Sequence, residues 1–241
     1  MDAIKAEHLT KKYKDLTVVD GLDLAVREGE LFSLLGVNGA GKTTTIKMLS
    51  CLTKPTGGDA YLLGNSIVSN TAEVKKSIGV SPQETAIAPN LTVRENLEFM
   101  CGLHGFSREK RKQKTADLAE RLGLAQVLGK KAEKLSGGYQ RRLSIAMALI
   151  GEPKILFLDE PTLGLDVLAR SDLWDVIRLL KGKITMILTT HYMEEAQALS
   201  DRVGIMKDGR LLALGTAEEL KARAGKDDFE EAFIAIVKET V

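Results

Sequence analysis

A glycine-rich segment carries the strongest chemical signal in the sequence. Residues 36–43 read GVNGAGKT and follow a short apolar run. Glycines let a loop turn its backbone N–H groups inward onto phosphate oxygens, and the start of a helix adds its positive dipole end. A lysine supplies a full positive charge, and a threonine hydroxyl is a suitable Mg²⁺ ligand. The segment predicts a nucleoside-phosphate site formed by Asn38, Gly39, Ala40, Gly41, Lys42, Thr43 and Thr44.

Two adjacent carboxylates end a second apolar run. Residues 155–158 read ILFL and are followed by Asp159 and Glu160. Two buried acids side by side repel each other, and a divalent cation relieves that cost. We expect Asp159 to hold Mg²⁺ through water and Glu160 to polarise an attacking water as a general base. A solvent-exposed strand end with two surface acids is the alternative for this pair taken alone.

Two further polar side chains follow strand-like runs. Gln83 comes after the run that ends in VSP, and His191 comes after TT. An amide can contact a metal or a water, and an imidazole can contact a terminal phosphate or the attacking water. Spacing alone leaves the alternative open that both are ordinary surface or core residues.

A second potential anion site lies at residues 135–140, which read LSGGYQ. Ser136 is a good helix N-cap, and Gly137 and Gly138 leave N–H groups available to an anion. Two phosphate sites in one chain are explained if two chains pair head to tail and each completes the site of the other. The alternative is an ordinary capped helix start.

Strands and helices alternate around these motifs. Strand-like runs are predicted at residues 30–35, 154–158, 184–189 and 202–206, and helices at 42–52, 167–180 and 193–199. This alternation favours a mostly parallel sheet with helices on both faces, which binds ligands at the carboxyl ends of its strands. The opening stretch to residue 26 predicts short amphipathic strands with turns near residues 14–15 and 20–21.

The middle of the chain changes to helical spacing. Apolar residues recur at helical intervals between residues 92 and 131, and a basic run at 108–114 is typical of a solvated helix face. Residues 227–234 predict a short amphipathic helix. Without a linker rich in proline, glycine or serine, we interpret residues 1–241 as one domain with a helical subdomain inserted at about 84–150.

Composition excludes several function classes. The 34 basic and 33 acidic residues leave a net charge of +1, so no global field attracts nucleic acid or an acidic membrane. Aromatic residues make up 5%, which disfavours a stacking platform for single strands. The apolar runs are shorter than the roughly 20 residues that span a bilayer, and no targeting segment is visible. Cys51 and Cys101 predict reduced thiols of a cytoplasmic chain.

Taken together, these motifs resemble the nucleotide-binding domain of ABC (ATP-binding cassette) transporters. The resemblance rests on GVNGAGKT, SPQ, LSGGYQRR, ILFLDE, GLD at residues 164–166 and TTH, which occur in the order of the family. It implies an α/β fold, with a P-loop NTPase core, an N-terminal antiparallel β subdomain and an inserted α-helical subdomain. It also implies ATP and Mg²⁺ as cofactors.

The resemblance implies roles for single residues. Tyr13 would stack on adenine, Gln83 would join the metal site to the surface that couples to the membrane protein, and His191 would act as the switch histidine. The metal would be held by Thr43, Gln83 and, through water, Asp159. The residues that would act on the ATP of the partner chain are Ser136, Gly137, Gly138, Gln140 and Asp166.

The exact residues of the motifs indicate a subfamily. Val37, Tyr139 and Gly164 depart from common family residues without removing a catalytic group. The motif sequences are most similar to those of the exporter subfamily of drug-resistance, sodium-efflux and haem-exporter ATPases. Such a subunit would pair with a second ABC subunit, identical or different, and with a separate transmembrane permease on the inner face of the cell membrane. No nucleic acid partner is expected.

Three other readings remain open from the sequence. A soluble ABC ATPase of the iron–sulfur assembly type has similar length and motifs, and an importer ATPase differs only in subfamily wording. A P-loop kinase is disfavoured by the LSGGYQ segment and by the lack of a recognisable phosphate-acceptor site.

Overall fold

The computed structural model describes residues 1–239 and contains ten strands and nine α-helices in that range. The strands are β1 (Asp2–Tyr13), β2 (Leu16–Arg27), β3 (Leu31–Gly36), β4 (Gly57–Leu62), β5 (Asn65–Ser66), β6 (Ile78–Ser81), β7 (Ile155–Asp159), β8 (Thr185–Thr190), β9 (Arg202–Lys207) and β10 (Arg210–Gly215). The helices are α1 (Lys42–Leu49), α2 (Thr71–Ser77), α3 (Val93–Leu103), α4 (Arg108–Arg121), α5 (Gly137–Leu149), α6 (Val167–Leu180), α7 (Met193–Leu199), α8 (Ala217–Ala224) and α9 (Phe229–Lys238). The chain divides into two compact units, one formed by residues 1–76 and from 181 onward, the other by residues 77–180.

An antiparallel sheet with the order β2-β1-β4-β5 opens the first unit. The predicted turn at residues 14–15 joins β1 to β2, but the predicted turn at 20–21 is wrong. There β2 continues, and its pairing with β1 slips between Leu9↔Leu22 and Lys11↔Val19. Gly21, at φ +58°, absorbs the slip because it adopts the left-handed region without cost. An Asp-Gly pair therefore marks an irregularity inside a long strand here.

Gly58 is the glycine of this sheet with the least room for a side chain. A Cβ at Gly58 would lie 2.3 Å from the carbonyl oxygen of His8, and the residue has φ +70°. We expect Gly58→Ala to lower the free energy of unfolding by about 2–4 kcal/mol, from left-handed strain plus the clash with β1. Urea unfolding measures the change. The control is Gly64→Ala, at φ +81° with open space around its Cβ position, which carries the strain alone. Equal losses in the two variants would contradict the clash.

Two of the three parallel strands of the first unit, β3 and β8, are buried along their whole length. β3 lies between β8 and β9, pairs in parallel with both, and β10 adds an antiparallel edge beside β9. All residues of β3 and β8 are buried, which explains why their sequences contain short apolar runs and no charged residue. The sheet thus brings the residues after β3 and β8 to one edge.

In the second unit the parallel strands β6 and β7 are accompanied by four helices. Thr92 and Glu95 form a reciprocal capping box at the start of α3. The basic run 108–114 forms the first two turns of α4 and is mostly exposed, as expected for a solvated face. Cys101 is buried on α3, and burial raises the pKa of its thiol.

Helix starts follow the predictions closely. The helices predicted from residues 42, 167 and 193 begin there. The first was predicted to end at residue 52 but ends at Leu49, because Cys51 takes φ +57° and the N–H of Leu52 turns back to the carbonyl of Lys47. Within residues 1–239 no helix is both long and apolar enough to cross a membrane.

Candidate nucleotide site

The loop between β3 and α1 requires glycine at two of its positions. A Cβ at Gly36 would lie 2.4 Å from the carbonyl oxygen of Met206. Gly41 has φ +100°, and a Cβ there would lie 2.6 Å from the carbonyl oxygen of Val18. The backbone of the loop therefore lies close against β2 and β9, with no room for a side chain at these two positions. The geometry matches a loop that exposes N–H groups to an anion.

Lys42 is folded over this loop. Its side chain is buried, with the residue 5% exposed, and Nζ donates to the carbonyl oxygens of Gly36 at 2.7 Å and of Val37 at 3.2 Å. Thr45, one turn on, donates its hydroxyl to the carbonyl of Gly41 at 3.0 Å and so fixes the helix start. The ammonium group is therefore held at the loop. Of the neighbouring predicted residues, Asn38 and Gly39 are exposed, and Thr43 and Thr44 are half-buried.

The turn after β9 supports the loop from the side. The N–H of Gly209 donates to the carbonyl of Ala40 at 3.2 Å, and the carbonyl of Gly209 accepts from the N–H of Asp20 at 2.9 Å. Ala40 is 2% exposed. Three segments distant in sequence thus meet at the loop between β3 and α1.

His191 lies at the same sheet edge as the loop. Leu35 of β3 pairs with Thr190 of β8, so the residues that follow both strands emerge side by side. The His191 ring centroid is 4.0 Å from that of Tyr192, whose N–H donates to the hydroxyl of Thr190. The loop and the histidine therefore belong to one edge of one unit.

Tyr13 ends β1 in the antiparallel sheet. It is 47% exposed, and Nζ of Lys11 lies 4.8 Å from its ring centroid. An exposed ring flanked by a cation suits stacking of a base.

The second unit brings Gln83 and the two carboxylates to one end of its strand pair. Ser81 of β6 pairs with Leu158 of β7, so Gln83, Asp159 and Glu160 follow at the same edge. Gln83 is exposed, whereas Asp159 and Glu160 are only 4% and 6% exposed.

Glu160 has an unusual backbone conformation. Its φ is +47°, and its carbonyl accepts from the N–H of Leu163 at 3.2 Å in the turn that leaves β7. A left-handed non-glycine residue costs about 1–2 kcal/mol and persists where the surrounding structure demands it. The strain is located at the residue predicted as the general base.

Arg141 is a charged member of this site that the sequence reasoning did not select. It is 8% exposed on α5 and donates to the carbonyl of Pro82 at 3.0 Å. Burial lowers the pKa of its guanidinium, while the carboxylates of Asp159 and Glu160 act in the opposite direction. Arg141 is thus a fixed cation between the Gln83 segment and the acidic pair. The position of Arg141 directly after the LSGGYQ segment was the available signal.

The first residues of α5 pack closely against Leu165 and the start of α6. Cβ atoms at Gly137 and Gly138 would lie 3.2 Å from side-chain atoms of Leu165 and Ala169, respectively. Ser136 is the N-cap residue, as predicted, although among residues 1–239 its side chain makes no capping hydrogen bond. The Ser136 carbonyl instead accepts the N–H of Gln140 at 3.0 Å.

Gln140 and Asp166 are tied to their own unit. The Gln140 amide donates to the carbonyl of Ala132 at 3.1 Å. Asp166 accepts the N–H of Ala169 at 2.9 Å and so caps α6, which begins with exposed Val167 and Leu168. An exposed apolar pair beside a capped helix start suits a contact with another protein surface.

The oxygen donors predicted for Mg²⁺ fit that ion chemically. Thr43, Gln83 and Asp159 offer hydroxyl, amide and carboxylate oxygens, and Mg²⁺ is usually held by one or two protein oxygens plus substrate phosphates and waters. Within the described part of the chain, no cluster of three or more His, Cys, Asp or Glu side chains forms a metal cage.

A family model described as ABC transporter matches residues 19–163. The chain belongs to the ABC transporter family. It is 39% identical over 240 residues to the probable multidrug ABC transporter ATP-binding protein YbhF of Escherichia coli, covering 97% of this chain but only 41% of YbhF. It is 42% identical over 226 residues to the daunorubicin resistance ATP-binding protein DrrA3 of Streptomyces coeruleorubidus, covering 93% of this chain and 72% of that one.

Solved structures of ABC proteins share the fold. An ATP-binding subunit of an ABC transporter superimposes with a TM-score of 0.85 at 26% identity, covering 98% of this chain and 99% of that one. The cassette MJ0796, in a dimeric post-hydrolysis state bound to ADP and Pi, gives 0.80 at 28% identity, covering 88% of this chain and 98% of that one. The predicted family and the predicted α/β fold class are confirmed. The roles of single residues in this ABC protein stay predictions.

Proposed function

We propose that this chain binds ATP with Mg²⁺ and hydrolyses it as the ATP-binding subunit of an ABC exporter. The observation that carries the proposal is the glycine loop at the end of β3, with Lys42 Nζ held on the carbonyls of Gly36 and Val37. Its backbone N–H groups and the start of α1 would bind the phosphates, and Lys42 would move from the carbonyls to the terminal phosphates. Tyr13 would stack on the adenine. The full set of loop residues is Asn38, Gly39, Ala40, Gly41, Lys42, Thr43 and Thr44.

The carboxylate end supplies the chemistry of hydrolysis. Glu160 would accept the proton of the attacking water, and Asp159 would hold the waters around the metal. Mg²⁺, when bound, would neutralise charge on the transferred phosphoryl group. Gln83 and His191 would orient the water and the terminal phosphate. Arg141 would place a fixed positive charge beside the two buried carboxylates.

Two such subunits would close head to tail around two ATP. Each chain would present Ser136, Gly137, Gly138, Gln140 and Asp166 to the nucleotide of its partner. Exposure of Ser136 and Gly137, and the exposed pair Val167 and Leu168 beside Asp166, support this role. The partner is either a second copy or a different ABC subunit.

The similarity to drug-resistance proteins supports export. We interpret residues 1–241 as one nucleotide-binding domain with a helical subdomain inserted at about 84–150. It would act on a separate transmembrane permease and be held by that permease at the inner face of the membrane. The exposed surface near Gln83 and the helical subdomain would transmit the closure of the ATPase dimer to the permease.

Affinity purification tests the assignment to a transporter. The tagged chain, isolated from its own cells in mild detergent, is expected to carry a multi-span membrane protein in near-equal amount, identified by mass spectrometry. The tag alone is the control. Recovery of soluble partners only, with the chain absent from the membrane fraction, would reject the exporter and support an assembly-type ATPase.

A further inference from the structure

The C-terminal helix α9 packs on the same sheet as the nucleotide loop. Its apolar residues Phe229, Phe233 and Ile236 recur at helical spacing and are all buried. They share one apolar cluster with Leu35, the residue that precedes the loop, and with Ala196 of α7. Because α7 begins two residues after His191, this cluster joins α9 both to the base of the loop and to the helix behind the histidine.

A polar contact joins α9 to the loop by a second route. Nζ of Lys207, the last residue of β9, donates to the carbonyl of Val237 near the end of α9 at 2.9 Å. The next two residues form the turn in which the N–H of Gly209 donates to the carbonyl of Ala40. A Cβ at Gly209 would lie 2.6 Å from the carbonyl of Val18, so the turn is wedged between the loop and β2.

We propose that α9 is a positioning element for the nucleotide site, acting on the phosphate loop through Lys207 and on the His191 segment through Phe233. Neither Lys207 nor Phe233 is among the residues predicted to contact the nucleotide. Lys207 acts through the turn at Gly209, whose N–H donates to the carbonyl of Ala40 in the loop. Phe233 acts through α7, which begins two residues after His191. The contribution to ATP turnover rests on the proposed function, whereas the contribution to loop order does not.

Lys207→Met tests the polar route, because it removes the charge and the hydrogen bond but keeps the stem of the side chain. Lys238→Met is the matched control, since Lys238 follows Val237 on α9 but is exposed. We expect Lys207→Met to weaken ATP binding about three- to tenfold, the range of couplings carried by packed networks. We expect Lys238→Met to bind ATP as the wild type does.

Phe233→Leu tests the apolar route with a modest change of volume. Ile234→Leu is its control, because Ile234 is 41% exposed on the opposite side of α9. We expect the Phe233 variant to lower kcat about three- to tenfold with a smaller change in KM, since α7 begins two residues after His191. A change in thermal stability alone, with kcat and KM unchanged, would overturn the role of Phe233.

Hydrogen–deuterium exchange separates this proposal from the proposed function. In Lys207→Met, the amides of residues 37–44 are expected to exchange faster than in Lys238→Met, while those of β1 are unchanged. This readout needs no nucleotide, so it stands even if the wild type fails to bind ATP. Equal exchange at residues 37–44 in the two lysine variants would reject the positioning role of Lys207.

Discussion

Replacing Glu160 by glutamine is expected to slow ATP hydrolysis by about 10²–10⁴ while ATP binding persists, the usual size of a general-base effect. The amide keeps the shape and the hydrogen-bonding capacity of the side chain, but it cannot accept a proton from water. Glu160 is 6% exposed and has a positive φ. Glutamine adopts this backbone conformation at no greater cost than glutamate, so the substitution adds no backbone strain. Single-turnover hydrolysis and equilibrium nucleotide binding, measured on the same preparation, give the two quantities.

The same unit offers a matched control. Glu152 also has a positive φ, of +54°, but its side chain is 77% exposed and pairs with Lys114. That pairing lowers the pKa of Glu152, and Glu152→Gln removes it without touching the carboxylate end of β7. We expect Glu152→Gln to hydrolyse ATP at the wild-type rate. Near-wild-type hydrolysis in Glu160→Gln would remove Glu160 from the proposed mechanism.

Much of the fold was predictable because local and global signals agree. The runs that became β3, β7 and β8 contain consecutive apolar residues and are buried along their whole length, as strands covered on both faces must be. Helix starts were predictable where a glycine loop, a turn or a strand end comes directly before the helical spacing. The order of motifs along the chain then indicated the family.

What escaped prediction depends on contacts between distant segments. The slip in pairing between β1 and β2 at Gly21 is set by the partner strand, so an Asp-Gly pair read in isolation predicts a turn instead. The charge of Arg141 beside Asp159 and Glu160 needs the fold that brings α5 and β7 together. The hydrogen bond from Lys207 to the carbonyl of Val237 joins residues 30 positions apart. The spacing of neighbouring residues in the sequence does not indicate such contacts.

Replacing Lys42 by alanine is expected to abolish tight ATP binding. The ammonium group of Lys42 is buried at the loop, where it is held by the carbonyls of Gly36 and Val37. A hydrogen bond to a charged group contributes about 1.5–3 kcal/mol, so losing even one phosphate contact weakens binding by about 10- to 150-fold. Titration calorimetry with ATP and Mg²⁺ gives the dissociation constant directly.

Loss of the loop's own structure must be separated from loss of phosphate contacts. Lys47 lies on the same helix, α1, but is exposed in its last turn, so Lys47→Ala removes an equal charge without touching the loop. We expect Lys47→Ala to bind ATP as the wild type does, which would exclude a general effect of net charge. Thermal unfolding of Lys42→Ala without nucleotide shows whether the loop still folds. If Lys42→Ala binds ATP with unchanged affinity, the phosphate-binding role of this loop is wrong. Lys42 is the lysine of residues 36–43, and unchanged affinity would mean that its ammonium group contacts no phosphate.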